Sequence, residues 1–394
     1  MKKRVQIDIM NTNTNGIIRI LTIGIDVFRH KNLNKTQSLV NHDVSFVVIP
    51  METAGVSIQT EIGEQNLKIV SINRRYRRLS AFLALVRILS KQRIDIVEIY
   101  PESYITLGFY LISRLFQKPV VVIARGLEHR IADRRIRGFK LWILAIVYRG
   151  ADLVIYNELY MTEVLRDRLG VTSLEFLPNS VDVPPACKEL KDHACNFLFM
   201  NSIKFFRHPE VALEAFIRLK ELKVFPFDSQ VRLRIVGLRQ HAGFHGNADR
   251  ESKLAEMIRG RDISVELLPW TEESEQHLNW ADVFLLPADL VFLNYALLEA
   301  MARGIPVIVQ DTPGTERVVT DGIEGFVVGP TPESWLAPMT KLAVDHKLRR
   351  RMGSAARERV IQQFSSASMA RSWLQHYNSA IHNHKGIRAV GANL

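Results

Sequence analysis

ADVFLLPADLVFLNYALLEAMARGIPVIVQDTPGTERVVTDGIEGF, residues 281–326, decides the fold. Val283–Leu286 is an apolar run of strand length. Tyr295–Ala302 repeats apolar residues at helical spacing around Glu299, Gly304 stops that helix, and Pro306–Val309 supplies the next strand. Asp311–Glu316, DTPGTE, is a glycine-bearing turn at a strand's carboxyl end, where open α/β sheets bind ligands and a following helix offers free N–H groups. A phosphate or a ribose fits such a place.

The same alternation extends outward. Asn196–Met200, Arg232–Val236 with Gly237, and Ser264–Leu267 read as strands, with helices at Pro209–Leu222, Arg250–Ile258 and Glu272–Asn279. In the first half, strands are expected at Ile17–Ile23, Val44–Ile49, Leu67–Ile72, Ile94–Ile99, Val120–Ala124 and Leu153–Tyr156, with a helix at Arg74–Arg93. This predicts an α/β protein with largely parallel sheets, and 394 residues suit two domains. Residues 178–194, PNSVDVPPACKELKDHA, are polar and proline-containing, as a junction would be. The expected division is an N-terminal domain at 1–182, a linker at 183–195, a C-terminal domain at 196–364 and a closing segment at 365–394. That segment follows a helix at Lys347–Gln363 and holds another at Ser365–His382, then a frayed tail from Gly386.

Hydrophobic content of 47% and charged content of 24% are those of an ordinary globular protein. The longest apolar run, Leu141–Tyr148, is less than half of the roughly 18 residues a membrane span needs. At the N-terminus, Asp8 and the NTNTN stretch interrupt any apolar signal core, which predicts a cytoplasmic protein. Cys187 and Cys195, with His193, have no zinc-ligand spacing and read as reduced bystanders.

Charge is unevenly distributed. Residues 1–150 hold 24 Lys and Arg against 11 Asp and Glu, and the remainder 28 against 30, so the overall +11 resides in the first half. Arg74–Arg93, RRYRRLSAFLALVRILSKQR, is a basic amphipathic helix with Leu79, Phe82, Leu83, Val86 and Leu89 on one side, and Asp133–Arg149 adds a second cationic cluster. Two readings stay open for each: the helix lies on anionic lipid, or its apolar face packs on the sheet while the arginines are solvated. No nucleic-acid module is recognisable.

The signature segment resembles that of the family-4 retaining glycosyltransferases of the GT-B fold. The likeness lies in LLEAMARG at Leu297–Gly304, IPVIV at Ile305–Val309, Gly314, Glu316 and DG-x-x-G at Asp321–Gly325. Pro178–Asp182, PNSVD, is similar to the family's PNGVD, and Arg125–Arg130, RGLEHR, to its HGLEHR. Lys204–Pro209, KFFRHP, with EAF at Glu214–Phe216, resembles the segment that clamps the donor diphosphate.

The resemblance implies two Rossmann-like domains with parallel sheets facing a central cleft, the last helices returning towards the first domain. It implies a hexosyltransferase without a metal ion or cofactor, whose co-substrate is a UDP- or GDP-linked sugar. Its acceptor would be a surface polysaccharide, such as lipopolysaccharide or capsule, or a lipid-linked glycan, met by a peripheral protein on the inner face of the cell membrane. The absence of any Asp-x-Asp agrees with metal independence. Glu299 is expected to hold ribose hydroxyls, with Gly314, Thr315, Glu316, Asn294, Tyr295, Leu298 and Gly237 around the nucleotide. Arg207, Lys204 and Arg125 are expected to carry catalysis by stabilising charge on the departing diphosphate. Arg207 also has Glu210 within reach as a surface ion-pair partner, and the basic first half offers attraction for a phosphorylated acceptor.

The chain departs from the family pattern at several places. Val291 occupies the position eight before Glu299, where the family has a first glutamate, although Asp289 is close by; Ser202 stands where arginine is usual. Arg125 replaces a histidine, and Gly24–Asn34, with His30 and Lys31, lacks the family's glycine-rich loop. These substitutions favour, as the second reading, a catalytically weak or inactive binding subunit. A sugar-nucleotide epimerase or phosphorylase of the same fold is a third.

Overall fold

The computed structural model describes residues 17–24, 35–36, 38–39, 42–51, 67–70, 75–101, 105–124, 131, 136–157, 161–190, 194–222, 231–238, 248–271, 273–291 and 294–391. The chain divides into two compact units, Met1–Tyr156 with Tyr160–Phe176 and Ala370–Leu394, and Asn157–Leu159 with Leu177–Met369.

Unit 1 is built on strands β1 (Ile18–Gly24), β2 (Val44–Pro50), β3 (Leu67–Ile69), β4 (Ile96–Ile99), β5 (Val120–Ala124), β6 (Leu153–Tyr156) and β7 (Leu174–Phe176). They form one sheet in the order β3-β2-β1-β4-β5-β6-β7, with every pairing parallel. β4, β5 and β6 are buried along their whole length, which is why they read as unbroken apolar runs rather than alternating ones. Helices α1 (Arg77–Lys91), α2 (Thr106–Leu115) and α3 (Phe139–Gly150) follow β3, β4 and β5. They lie side by side: the Phe82 and Phe109 rings meet at 4.6 Å between α1 and α2, and Tyr110 Oη on α2 donates to the Gly150 carbonyl at 3.1 Å.

Unit 2 has strands β8 (Cys195–Met200), β9 (Val231–Leu238), β10 (Val265–Pro269), β11 (Val283–Leu286), β12 (Val307–Gln310) and β13 (Gly325–Val328). Their order is β10-β9-β8-β11-β12-β13, again all parallel. The helices are α4 (Pro209–Glu221), α5 (Ala248–Ile258), α6 (Ser274–Trp280), α7 (Tyr295–Ala302), α8 (Pro332–Val344) and α9 (His346–Gln363). The signature segment is β11, α7 and β12 as its sequence predicts.

α10 (Ser366–Gly391) begins in unit 2 and continues from Ala370 in unit 1. There Tyr377 Oη donates to Glu98 Oε2 at 3.0 Å. Glu98 is fully buried and ion-paired with Lys35, whose Nζ sits 3.8 Å from the centre of the Trp373 ring. A carboxylate buried in this way needs all of these partners.

Three expectations are corrected. The tail from Gly386 does not fray at once, because α10 runs on to Gly391; His384, two residues before Gly386, is buried, its Nδ1 3.0 Å from Asp152 Oδ1. Part of the expected linker is fastened to unit 2: Lys188 donates its N–H to the Arg303 carbonyl at 2.8 Å and pairs through Nζ with Asp282 at 2.9 Å. In α1 the packed residues are Ala81, Leu85, Ile88 and Leu89, while Leu79, Leu83 and Val86 face outward.

Candidate functional site

In unit 2 the sheet order reverses between β8 and β11, and in open α/β sheets the crevice at the strands' carboxyl ends beside such a reversal takes ligands. Four strands deliver residues there: Asn201 follows β8, Gly237 lies near the end of β9, Pro287–Asp289 follow β11, and Gln310 ends β12. Gly237 has φ +134°, and a Cβ on it would lie 1.9 Å from the Asn201 carbonyl oxygen, so only glycine permits this approach. Asn201 Oδ1 in turn accepts from Asn294 Nδ2 at 3.0 Å. Asn294 caps α7, its own Oδ1 taking the Leu297 N–H at 3.1 Å.

Arg207 is held at this edge by backbone. It forms an antiparallel bridge with Ala288, His208 N–H donates to the Pro287 carbonyl at 2.8 Å, and Asp289 N–H to the Phe206 carbonyl at 3.0 Å. The Glu210 carboxylate is not its partner. Arg250, on α5, takes both Glu210 oxygens at 2.5 and 2.7 Å and also donates to the carbonyls of Lys204 and Arg207 at 2.6 and 2.5 Å. Arg207 Nε and Nη1 are consequently buried with no hydrogen bond to any described residue. Burial alone pushes this guanidinium down to about 10. A desolvated cation that lacks an acceptor is costly, and an anion offering oxygens would complete it. Lys204 is exposed, its Nζ 6.0 Å from the Phe206 ring centre.

Two more orphaned polar atoms lie in the same crevice, Asn201 Nδ2 and Gln310 Oε1. Gln310 Nε2 donates to Asp289 Oδ1 at 3.3 Å, and His208 Nε2 lies 2.9 Å from the same oxygen. Val291, where a carboxylate would be usual, is fully buried and fills core, whereas the Asp289 side chain is 54% exposed. Arg250, His208, Gln310 and Asn201 were not singled out from sequence. Arg250 is isolated from Lys204 and Arg207 by 43 to 46 positions, and only tertiary structure shows what it holds.

Glu299 is half-buried on α7, and Ser274 Oγ donates to its Oε2 at 3.1 Å. Tyr295 is half-buried one turn before it, and Leu298 is fully buried, so Leu298 offers no side chain to a ligand. The DTPGTE turn is self-bonded. Gly314 has φ +94°, its N–H donates to Glu316 Oε2 at 3.0 Å, and buried Thr315 Oγ1 bonds the Gln310 carbonyl at 3.1 Å and the Thr312 N–H at 3.2 Å. A phosphate reaching the Gly314 N–H would displace the Glu316 carboxylate. Arg125, with Glu128, His30 and Lys31, lies outside the described residues. Unit 1 has its own cleft at the carboxyl ends of β1, β2 and β4, lined by Gly24, Met51, Tyr100 and Thr106 with Arg77 and Arg78. Among the described residues no group of three or more His, Cys, Asp and Glu could hold a metal ion.

Two family models match: Glycosyltransferase Family 4 over residues 36–184, and Glycosyl transferases group 1 over residues 188–359. A D-inositol 3-phosphate glycosyltransferase of Corynebacterium glutamicum is 28% identical over 245 residues, 61% of this chain and 52% of that protein. The lipopolysaccharide core biosynthesis glycosyltransferase LpsE of Rhizobium meliloti is 24% identical over 133 residues, 33% of this chain and 39% of that protein. The matched part thus spans about half or less of these curated relatives. Among solved structures, HepE of Anabaena in complex with UDP-glucose superposes with a TM-score of 0.66 at 14% identity, covering 92% of this chain and 100% of that one. That likeness is one of fold.

Proposed function

Since the chain belongs to the family-4, group 1 glycosyltransferases of the GT-B fold, we propose that it transfers a sugar, with retention, from a nucleotide donor to a surface-polysaccharide or lipid-linked acceptor at the cytoplasmic membrane face. The observation that carries this reading is Arg207, half-buried at the carboxyl edge of a parallel sheet, whose guanidinium has two buried nitrogens, Nε and Nη1, without a hydrogen-bond partner among the described residues. A diphosphate matches it in charge and in acceptor geometry. As the sugar–phosphate bond breaks, negative charge grows on the departing diphosphate. Arg207, with Lys204 at the rim, stabilises that charge more in the transition state than in the ground state, without a metal ion.

Glu299, oriented by Ser274, accepts hydrogen bonds from the ribose hydroxyls. Asp289 and Gln310 take the place of the carboxylate missing at Val291 and face the donor sugar. HepE, a neighbour in fold, is titled as a complex with UDP-glucose, which supports a UDP-linked donor. LpsE supports an acceptor in surface-glycan assembly.

The test is release of nucleoside diphosphate from a panel of UDP-, GDP- and ADP-sugars in the presence of bacterial lipid extract, wild type beside Glu299→Ala. Release from one donor that collapses in the variant is the expected result. The second reading, a subunit that binds nucleotide sugar without turnover, is favoured by buried Val291. It would be indicated by a Glu299-dependent thermal shift with nucleotide and no release from any donor.

A further inference from the structure

α1, α2 and α3 of unit 1 contain 37 residues and not one Asp or Glu, but seven Arg and Lys: Arg77, Arg78, Arg87, Lys91, Arg114, Lys140 and Arg149. β3, β4, β5 and β6 advance in one direction across the sheet, so right-handed crossovers place all three helices on one face. Each of the three turns large apolar side chains outward. α1 presents Leu79, Leu83 and Val86 at helical spacing; α2 presents Leu111 and, 80% exposed, Leu115; α3 presents Phe139 and Trp142, 72% and 59% exposed. The last two stack on each other at 5.7 Å.

Each helix packs its opposite side on the unit 1 core, so the outward residues are surplus to folding. Single exposed apolar residues need no explanation, but a set spread over three adjoining helices and rimmed by cations does. Among the described residues, Asp152 just after α3 is engaged by Arg114 at 2.8 Å, and Asp95 before β4 by the Arg19 N–H at 2.9 Å.

We infer that the outer face of α1, α2 and α3 is a docking surface for an anionic lipid bilayer. Its apolar side chains sit at the acyl boundary and Arg77, Arg78, Arg87, Lys91 and Lys140 among the headgroups. Charge complementarity selects this partner. Cations with no intervening carboxylate suit a surface of phosphate groups, and a stacked Phe–Trp pair suits the interfacial layer between water and hydrocarbon. No helix among the described residues is long and apolar enough to cross a membrane, so attachment through this face is peripheral. This deepens the proposed reading of an acceptor met at a membrane, and rests on it only for its purpose.

Co-flotation with vesicles tests it, using phosphatidylcholine alone and phosphatidylcholine mixed with phosphatidylglycerol. Wild type is expected to float with the anionic vesicles only, to be released by salt, and to show Trp142 quenched by brominated acyl chains. Phe139→Ser with Trp142→Ser, and separately Leu79→Ser with Leu83→Ser, should abolish flotation while leaving the circular dichroism and melting temperature unchanged. Neutralising Arg87 or Lys140 should lower partition about fivefold each, the equivalent of ~1 kcal/mol per charge. Equal binding to both vesicle types, no binding, or binding untouched by the serine pairs would overturn the proposal. So would a solution dimer that the Phe139/Trp142 pair splits, which would give the face to a second copy. Nucleotide binding by the same variants, followed by thermal shift, separates this outcome from the transferase reading: vesicle binding without nucleotide binding would leave the surface standing and defeat the enzyme.

Discussion

Arg207 is built to lose stability and gain function. A guanidinium with two buried nitrogens that no described residue hydrogen-bonds is unfavourable until an anion arrives, so Arg207→Met is expected to raise the melting temperature of the ligand-free protein while lowering kcat about 10²-fold or more. Thermal denaturation and diphosphate release on the same preparation check both signs. A fall in both would show Arg207 to be an ordinary structural residue. Its neighbour Arg250 should behave differently. It ties Glu210 to two backbone carbonyls, so Arg250→Ala leaves part-buried acceptors at Glu210 and Arg207 unmet, and both stability and turnover should fall. Sequence marked Arg207 and Glu299 because each sits at a fixed offset from a recognisable motif. Gln310 and Asn201 carry no such mark, as each is a strand-end polar residue whose partners come from other strands.

At the scale of elements, unbroken apolar strands and glycine-terminated helices made the signature βαβ unit legible to the residue: β11 and α7 coincide with their predicted ranges and β12 differs by one position. β13 was not singled out, since Gly325–Val328 is short and half-exposed and follows a turn that dominates its local pattern. The apolar side of α1 was misassigned for a different reason. Helical periodicity locates an apolar stripe but not the angle at which the helix meets its sheet, and here two stripes exist.

α6 carries a pH-sensitive contact. His277 Nδ1 lies 3.3 Å from Arg234 Nη1 and must be unprotonated to accept from it; burial first and Arg234 second hold this imidazole below its usual value. Between the lowered folded value and the ordinary 6.5 the unfolded chain binds more protons, so stability falls as pH drops through that window. The melting temperature of wild type should decline on going from neutral pH to below 6.5, and His277→Gln should flatten that slope. An unchanged slope would show that other groups govern it.

For the whole molecule, two largely parallel sheets follow from alternation, but only six of the seven and five of the six strands do, β7 and β13 being unforeseen, and the identity of each unit's last element does not follow either. α10 completes unit 1 from the far end of the sequence by covering Glu98 and Lys35 with Tyr377 and Trp373. Trp373→Ala is expected to destabilise by about 3–5 kcal/mol, the usual cost of removing a buried Trp. Denaturant unfolding followed by circular dichroism would measure this, and a loss under about 1 kcal/mol would remove α10 from the core of unit 1.

The straddling of α10 also bears on biosynthesis. The strands of unit 1 are synthesised before unit 2, and the stretch from Ala370 that completes unit 1 is synthesised after it. Throughout translation its sheet carries Glu98 without the hydroxyl of Tyr377, and His384 is not yet there to meet Asp152. Domain-by-domain maturation from the N-terminus is therefore closed to this chain. A nascent polypeptide stalled before Ala370 should display a protease-sensitive first half beside a protected second one.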